Sequence, residues 1–308
     1  MRALVLLTLS ACHVFSDGTI DVTCDDLPAC SGTDTATVDT ADTGAPGLTL
    51  GAGVGYAATD GERWTLAAVD SDLAVTFQRS GLGDFSGPLD YNPETGQATV
   101  ATTDRLYVFG PDSDDIQSFL MPTAGAPAGL ARASFGTIVV TDAEIVYQAA
   151  TTAEPVQVAK TAAFVGNFMS AFSSAAGDLV YVVSTHDGTG ALYSLQPDTG
   201  IAVVAEDLGV LASRDLGGGG FSGDGGALSF CSVDGTVYEM ATSSTGGVDA
   251  VAQAEAATDV IRCAWDSDTQ QHLMLQADGT LLTVSDSGTT RTALLRDGLV
   301  ATHGLFFD

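Results

Sequence analysis

The chain has 308 residues, 45% of them hydrophobic, which is enough for a substantial core and too much for a wholly disordered protein. Its 39 acidic residues outnumber its 10 basic residues and give a formal net charge of −29. Such a surface repels phosphate backbones and anionic lipid headgroups, which argues against nucleic-acid binding and against docking on a membrane surface. Cationic ligands, divalent ions and basic protein surfaces remain as partners, and the charge also keeps an exported protein in solution.

The first twelve residues, MRALVLLTLSAC, predict a signal peptide. Arg2 supplies a positive charge, and the apolar run at 3–9 is far too short to span a bilayer. The segment from Leu9 to Cys12, LSAC, resembles the lipobox of bacterial lipoproteins. The resemblance implies cleavage before Cys12, diacylation of its thiol and acylation of the new amino group. An ordinary N-terminus with an isolated cysteine is the alternative.

The lipobox resemblance implies a protein that is anchored to a membrane by lipid and does not span it. By analogy with Gram-negative lipoproteins, His13 in place of Asp after the cysteine implies sorting to the outer membrane. We therefore expect the mature chain in the cell envelope, at the outer membrane or the cell surface. Residues 1–11 are the predicted signal peptide, and 12–47 the predicted anchored segment with its linker.

Four further cysteines fit an oxidising compartment and predict two disulfides. Cys24 and Cys30 enclose five residues and are expected to pair as a small loop. Cys231 and Cys263 would then pair across the fold. A zinc site is the alternative, although the sequence contains no CxxC spacing.

A low-complexity linker follows at 31–47, SGTDTATVDTADTGAPG. It holds no aromatic residue and no positive charge, and it is rich in Thr, Asp and Gly. Nothing in it can bury a core, so we predict an extended and mobile tether.

From Leu48 onward, short β-runs alternate with turns in a repeated pattern. Six segments share an aromatic or small residue, a turn and a β-run; they begin at Tyr56, Tyr91, Ser134, Phe172, Phe221 and Trp265. Each is followed by a second short strand, at 73–77, 105–109, 144–148, 191–195, 236–240 and 280–284. The Asp-Gly pairs at 234–235 and 278–279 are hairpin signals. A period of about 40 residues predicts an all-β propeller over 48–308, with six four-stranded blades. Seven blades are the alternative.

One repeat carries a family resemblance. The stretch FSGDGGALSF at 221–230 resembles the F-S-P-D-G-x-x-L turn of the WD40-like propeller repeats in TolB-type periplasmic proteins, with Gly223 replacing the usual proline. The resemblance implies a propeller over most of 48–308. The final ATHGLFFD is interpreted as an innermost strand that completes a blade begun near the N-terminus, with the start of a seventh blade as the alternative.

Small residues mark the predicted innermost strands, which converge on the axis of a propeller. The run Gly217–Gly220 is interpreted in this way, as are the small-residue runs at 51–55 and 124–133. A phosphate-binding loop would need GK[ST] after the glycines, which is absent. The uncharged stretch 161–177 predicts a buried strand pair; a membrane segment is the alternative.

Candidate metal ligands are scattered. His13, His186, His272 and His303 show no metal-binding spacing, so we interpret them as structural, with a three-histidine metal site as the alternative. Acidic groups recur at Asp70/Asp72, Asp112/Asp114/Asp115 and Asp266/Asp268. We predict solvated turn residues; calcium is the alternative, although Gln270 and Gln271 interrupt the loop that would bind it.

No catalytic motif is present. There is no G-x-S-x-G elbow, and the adjacent Thr185-His186-Asp187 points its side chains apart on a strand. The sequence therefore predicts a non-enzymatic binding or scaffold module for a protein or an envelope polymer, with no cofactor, no assigned metal or catalytic residue, and contact with a membrane only through its lipid. The alternative is an exported hydrolase or lyase that acts on polysaccharide through loop carboxylates. An inert acidic surface protein is a third hypothesis.

Overall fold

The computed structural model describes residues 50–307, apart from 84, 86, 113, 124, 142–143, 159–166, 174–176, 187–188, 197–199, 207–215, 223–226, 242–248, 267 and 296–298. The described residues form β-strands and no helix, in six antiparallel sheets of four strands each. The signal peptide, Cys12, His13, Cys24, Cys30 and the linker lie outside the described residues, so those predictions stay predictions.

We number the sheets as blades in chain order. Blade 1 contains β1 (Gly53–Thr59), β2 (Arg63–Val69), β3 (Val75–Leu82) and the C-terminal strand β24 (Val300–Phe307). Blade 2 contains β4 (Leu89–Asn92), β5 (Gln97–Ala101), β6 (Arg105–Phe109) and β7 (Ile116–Leu120). Blade 3 contains β8 (Pro127–Ala133), β9 (Gly136–Thr141), β10 (Ile145–Gln148) and β11 (Val156–Val158).

The remaining blades follow the same order. Blade 4 contains β12 (Asn167–Ser173), β13 (Val180–His186), β14 (Thr189–Gln196) and β15 (Gly200–Glu206). Blade 5 contains β16 (Leu216–Ser222), β17 (Ala227–Ser232), β18 (Thr236–Ala241) and β19 (Asp249–Gln253). Blade 6 contains β20 (Val260–Asp266), β21 (Gln271–Gln276), β22 (Thr280–Ser285) and β23 (Gly288–Ala293).

The blades close into a ring through their innermost strands. These strands contact one another in the cyclic order β24, β4, β8, β12, β16 and β20, and β20 contacts β24 again. Six four-stranded sheets joined in this way are a six-bladed β-propeller. The structure therefore confirms the predicted all-β class and the choice of six blades over seven. We call the six innermost strands the inner wall.

The C-terminal strand completes blade 1, as predicted. β24 pairs antiparallel with β1, with Val54 opposite Phe306 and Tyr56 opposite Gly304. Blade 1 thus contains strands from both ends of the propeller sequence, and its innermost strand is the last strand in chain order.

The first predicted repeat is out of step with the other five by one strand, because the C-terminal strand is the first strand of blade 1. The segment from Tyr56 forms the hairpin of β1 and β2, whereas the other five segments join the first and second strands of their blades. The reason is that blade 1 receives its first strand from the C-terminus, so no such hairpin exists there. The stretch 73–77 was predicted to match the strands at 105–109 and beyond, but its residues 75–77 begin the outermost strand β3 instead. The third strands begin at residues 63, 105, 145, 189, 236 and 280.

The glycine run has the predicted position. Gly217–Gly220 lie in β16, an innermost strand that contacts β12 and β20. The small residues of β8 are likewise on the inner wall. The run at 51–55 is not, because Gly53 and Gly55 lie in β1. A Cβ on Gly53 would overlap the Phe307 ring, so glycine there makes room for side chains of β24.

In the described residues of the uncharged stretch 161–177, which are 167–173 and 177, there is one strand and not the predicted pair. Its described part holds β12, whose partner β13 begins beyond it at Val180. Among the described residues, no helix is long and apolar enough to cross a membrane.

Apolar side chains pack between neighbouring blades. The four apolar residues of β6, at 106–109, are buried, and Leu66, Leu106, Ile138, Ile145, Leu192 and Leu273 are fully enclosed. Each such side chain contributes about 1.5–3 kcal/mol by leaving water. Between blades 5 and 6, Cys231 and Cys263 form a disulfide with their Cα atoms 6.2 Å apart, which is the pairing that the sequence predicted. It links β17 to β20.

The Asp-Gly turns form hairpins as expected. Gly235 and Gly279 have φ of 80° and 79°, in the left-handed region that favours glycine. Asp234 accepts a hydrogen bond from the Thr236 N–H at 3.0 Å, and Asp278 accepts one from the Thr280 N–H at 2.8 Å. The aspartates therefore hold the second and third strands of blades 5 and 6 in register.

Candidate functional site

Three charged side chains of the inner wall form the candidate site. Asp90 lies on β4, Arg132 on β8 and Arg262 on β20, the innermost strands of blades 2, 3 and 6. We call these three side chains the inner-wall cluster. The chain has only ten basic residues, so two arginines among the innermost strands are a notable share of its positive charge.

Asp90 and Arg132 form an ion pair. Arg132 Nε lies 2.7 Å from Asp90 Oδ2, and the two side chains are about one-fifth exposed, at 20% and 19%. Arg132 Nη2 also donates a hydrogen bond to Thr99 Oγ1 at 3.1 Å. Because Thr99 stands opposite Asp90 in the β4–β5 register, both groups face blade 3 from one side of blade 2. The Arg132 guanidinium is therefore fixed by two contacts on the neighbouring blade.

Arg262 is placed differently. In the register of β20 and β21 it stands opposite Leu275, and both residues face blade 1. Gly304 on β24 makes room for them, since a Cβ there would lie 2.6 Å from Leu275 Cδ2 and 3.4 Å from Arg262 Cβ. The Arg262 Nε is buried and has no hydrogen-bond partner among the described residues. The side chain as a whole is partly exposed.

Burial changes the acidity of the cluster. It raises the pKa of Asp90, against the opposing charges of Arg132 and Arg262. It lowers the pKa of Arg262 to about 10, an effect that the charge of Asp90 partly offsets. Arg262 therefore remains protonated at neutral pH.

The cluster is suited to binding and not to proton transfer. A guanidinium that stays protonated at neutral pH is neither a general acid nor a general base, and it donates only. The one carboxylate of the cluster, Asp90, is already paired with Arg132. The arrangement can hold an acceptor or an anionic group against Arg262, whose Nε has unused donor capacity.

The histidines occupy separate positions. His272 on β21 packs edge-on against the Trp265 ring, with centroids 4.6 Å apart, and His303 on β24 has its Nδ1 3.3 Å from Thr302 Oγ1. Burial lowers the pKa of each to about 4. His186 ends β13, and its side chain lies outside the described part. The described residues hold no group of three or more His, Cys, Asp or Glu placed to bind a metal.

The acidic turns divide into two kinds. Asp70 accepts backbone hydrogen bonds from Asp72 at 3.0 Å and Ala74 at 2.9 Å, and Asp112, Asp114 and Asp115 are exposed, as the turn interpretation predicts. Asp266 is the exception, because it is buried. Its carboxylate accepts hydrogen bonds from the Gly51 N–H at 2.6 Å, the Asp268 N–H at 3.0 Å and the Thr269 hydroxyl at 2.5 Å. It is a structural acceptor and not a solvated turn residue.

Sequence reasoning missed the inner-wall cluster. The signal that could have found it is a charged residue inside a predicted innermost strand, as in LDYN, PAGLARA and VIRCAWD. A charge at such a position lies deep in the fold, where it needs a partner.

Comparisons with known proteins identify the fold. No protein-family model matches the chain, and no curated protein sequence does. A chain from the "Crystal structure of Nidogen/Laminin Complex" is similar in structure, with a TM-score of 0.61 and 9% identity over 83% of this chain and 98% of that one. At this identity the likeness shows the fold alone. Since 1320 chains of solved structures match, the fold is widespread and does not by itself select a function.

Proposed function

We propose that the chain is a lipid-anchored β-propeller of the bacterial cell envelope that works by binding a protein or an envelope polymer at one end of the ring. The observation that carries the proposal is the chemistry of the inner-wall cluster. Its ion pair is already formed, and its remaining donor, Arg262, stays charged at neutral pH. Such a group holds a ligand without exchanging a proton with it.

The cellular location rests on separate observations. The LSAC sequence ending at Cys12 supports a lipid anchor, and the residues at 31–47 support a tether. The disulfide between Cys231 and Cys263 supports an oxidising compartment outside the cytosol. The resemblance of 221–230 to TolB-type repeats favours the periplasmic class of propellers.

A protein partner is supported by the fold and the charge. The structural neighbour was solved in a nidogen/laminin complex, so a propeller of this kind takes part in a protein–protein assembly. With a net charge of −29, the present chain would favour a partner with a basic surface. The alternative, a polysaccharide hydrolase or lyase, needs a pair of carboxylates, and the inner-wall cluster contributes one.

The anchor and the binding activity are tested in the same cells. The full chain is expressed with a labelled fatty acid, together with a Cys12→Ser variant and a Cys24→Ser control. We expect the wild type and the control to carry label and to fractionate with membranes, and Cys12→Ser to lose both properties. Label that persists in Cys12→Ser would contradict the anchor.

Binding is then measured by cross-linking and capture of the anchored wild type. We expect one envelope component to be recovered at a fixed ratio to the chain. Recovery of nothing above background, together with turnover of a polysaccharide in a hydrolase or lyase screen, would replace the binding proposal with the enzymatic one.

A further inference from the structure

The inner wall carries positive charge inside a strongly acidic protein. With Asp90 ionised, the two arginines leave the cluster with one net positive charge, and protonation of Asp90 leaves two. The carboxylate on β20, that of Asp266, lies at the end of the strand and accepts hydrogen bonds from Gly51, Asp268 and Thr269. The local charge is therefore opposite in sign to the −29 of the whole chain.

We propose that the inner-wall cluster is a binding site for an oxyanion, a carboxylate or phosphate group on the ligand, with Arg262 as its principal donor and Arg132 as its second. This inference rests on the proposed function, namely that the protein works by binding, and it names the chemistry of the group that is bound. Asp90 is a positioning residue in this site, because it holds Arg132 from blade 2.

The Arg262 Nε is a donor that lacks a partner among the described residues. A buried guanidinium nitrogen without an acceptor is unfavourable, and charged donors lose the most when they stay unpaired. No described residue accepts a hydrogen bond from the Arg262 Nε. The side chain is also partly exposed at the inner wall, so a ligand can reach it. An oxyanion supplies two or three acceptor oxygens in the geometry that a guanidinium fork matches.

The Arg132 side chain is held in a fixed position by the neighbouring blade. Its guanidinium is held at 2.7 Å from Asp90 Oδ2 and 3.1 Å from Thr99 Oγ1. A donor held in place loses little further freedom when a ligand arrives, which favours affinity. Both arginines act on the charge of Asp90, so the same carboxylate lies within the electrostatic reach of both.

The charges of the exterior and of the inner wall limit the number of anionic groups that the ligand can carry. A net charge of −29 repels polyanions at long range, whereas screening shortens that repulsion to about 8 Å at physiological ionic strength. One positive charge on the inner wall is matched by one anionic group. We therefore expect a ligand that presents a single carboxylate or phosphate, not a nucleic acid.

The test uses the purified full chain and two simple probes, inorganic phosphate and acetate, with chloride at equal ionic strength as the reference. Affinity is measured by titration calorimetry and by the shift in thermal midpoint. We expect saturable binding of at least one probe. Stronger binding of phosphate would point to a phosphorylated ligand, and stronger binding of acetate to a carboxylated one.

Three variants locate the site. Arg262→Gln should weaken binding roughly tenfold or more, since charged hydrogen bonds are lost. Arg63→Gln removes the same charge from an exposed position on β2 and should leave affinity unchanged. Asp90→Asn keeps a side-chain oxygen that can accept the Arg132 hydrogen bond and removes the competing negative charge, so it should tighten binding several-fold, an effect that misfolding cannot imitate.

Two results would overturn the inference. The first is the absence of any saturable effect of phosphate or acetate on the wild type, which would make the cluster a purely structural ion network. The second is undiminished affinity in Arg262→Gln or weakened affinity in Asp90→Asn. The measurement needs neither the lipid anchor nor an envelope partner, so its failure is distinguishable from failure of the proposed function.

Discussion

Gly51 donates its backbone N–H to the buried carboxylate of Asp266 at 2.6 Å, across a sequence separation of 215. The contact joins the segment that leads into β1 to the end of the innermost strand of blade 6. Nearby, Leu50 and Ala52 pack in the same apolar cluster as Leu273 and Leu275 of that blade. Together with the pairing of β24 and β1, this contact closes the ring where blades 6 and 1 meet.

Replacing Asp266 should therefore destabilise the propeller strongly. Asp266→Ala leaves the Gly51, Asp268 and Thr269 donors without their acceptor, and we expect a loss of about 3 kcal/mol. Urea unfolding monitored by circular dichroism measures it. Asp70→Ala is the matched control, since Asp70 also accepts two backbone hydrogen bonds but in a more exposed turn, and we expect about 1 kcal/mol. Equal losses of unfolding free energy in the two variants would show that the Gly51–Asp266 contact stabilises the fold no more than an ordinary turn does.

Removing the C-terminal strand should prevent folding altogether. A chain that ends at Leu299 lacks β24, which leaves blade 1 without its innermost strand and exposes the cluster that packs on Leu305 and Phe307. We expect loss of cooperative thermal unfolding, with a chain shortened by Asp308 alone as the control. A cooperative transition in the longer truncation would mean that five blades and an incomplete sixth are self-sufficient.

The disulfide should contribute measurably to stability. Cys231 and Cys263 are separated by 32 positions, and a cross-link of that span stabilises by about 3–4 kcal/mol through the unfolded chain. We expect the Cys231→Ala/Cys263→Ala variant and the reduced wild type to unfold at the same lower urea concentration. A reductant should have no further effect on the double variant, and a reductant effect there would assign the stability to another pair.

The buried histidines predict acid sensitivity. A histidine whose folded pKa lies below its unfolded value of 6.5 stabilises the fold above pH 6.5, and this contribution is lost as the pH falls towards 4. For His272 the loss is about 1–3 kcal/mol. The raised pKa of Asp90 has the opposite sign, because its contribution is present below 3.8 and lost as pH rises. Asp60 and Asp234 have lowered pKa values, so their contributions to stability are present above pH 3.8 and are lost only as the pH falls below it.

This pH dependence is checked with a double variant. His272→Phe keeps an aromatic contact with Trp265, and His303→Gln removes the second titrating ring. We expect the free energy of unfolding of this variant to vary less between pH 6.5 and 4 than that of the wild type. An unchanged slope would show that other groups cause the acid sensitivity.

The features that the sequence predicted well are local or repeated ones. Asp234-Gly235 and Asp278-Gly279 required only the neighbouring residues, and the glycines of β16 required only the general shape of a propeller. The repeat predicted for blade 1 was displaced by one strand, because the innermost strand of that blade comes from the other end of the chain and no local sequence pattern indicates this. Asp266 was misjudged because Gly51, whose N–H donates a hydrogen bond to its carboxylate, is remote in sequence. The inner-wall cluster was missed for the same reason, since blades 2, 3 and 6 supply it.

The central claim, that the protein binds a partner at the end of the ring, is tested most directly by photo-cross-linking in the producing cell. A photoreactive residue replaces Val300, which is 50% exposed at the start of the innermost strand β24, and Val156, which is 53% exposed on the outermost strand β11, is the matched control. We predict a discrete adduct from position 300 that is absent from position 156 and is lost when Cys12→Ser removes the proposed anchor. Equal adducts from both positions, or no adduct from position 300, would contradict it.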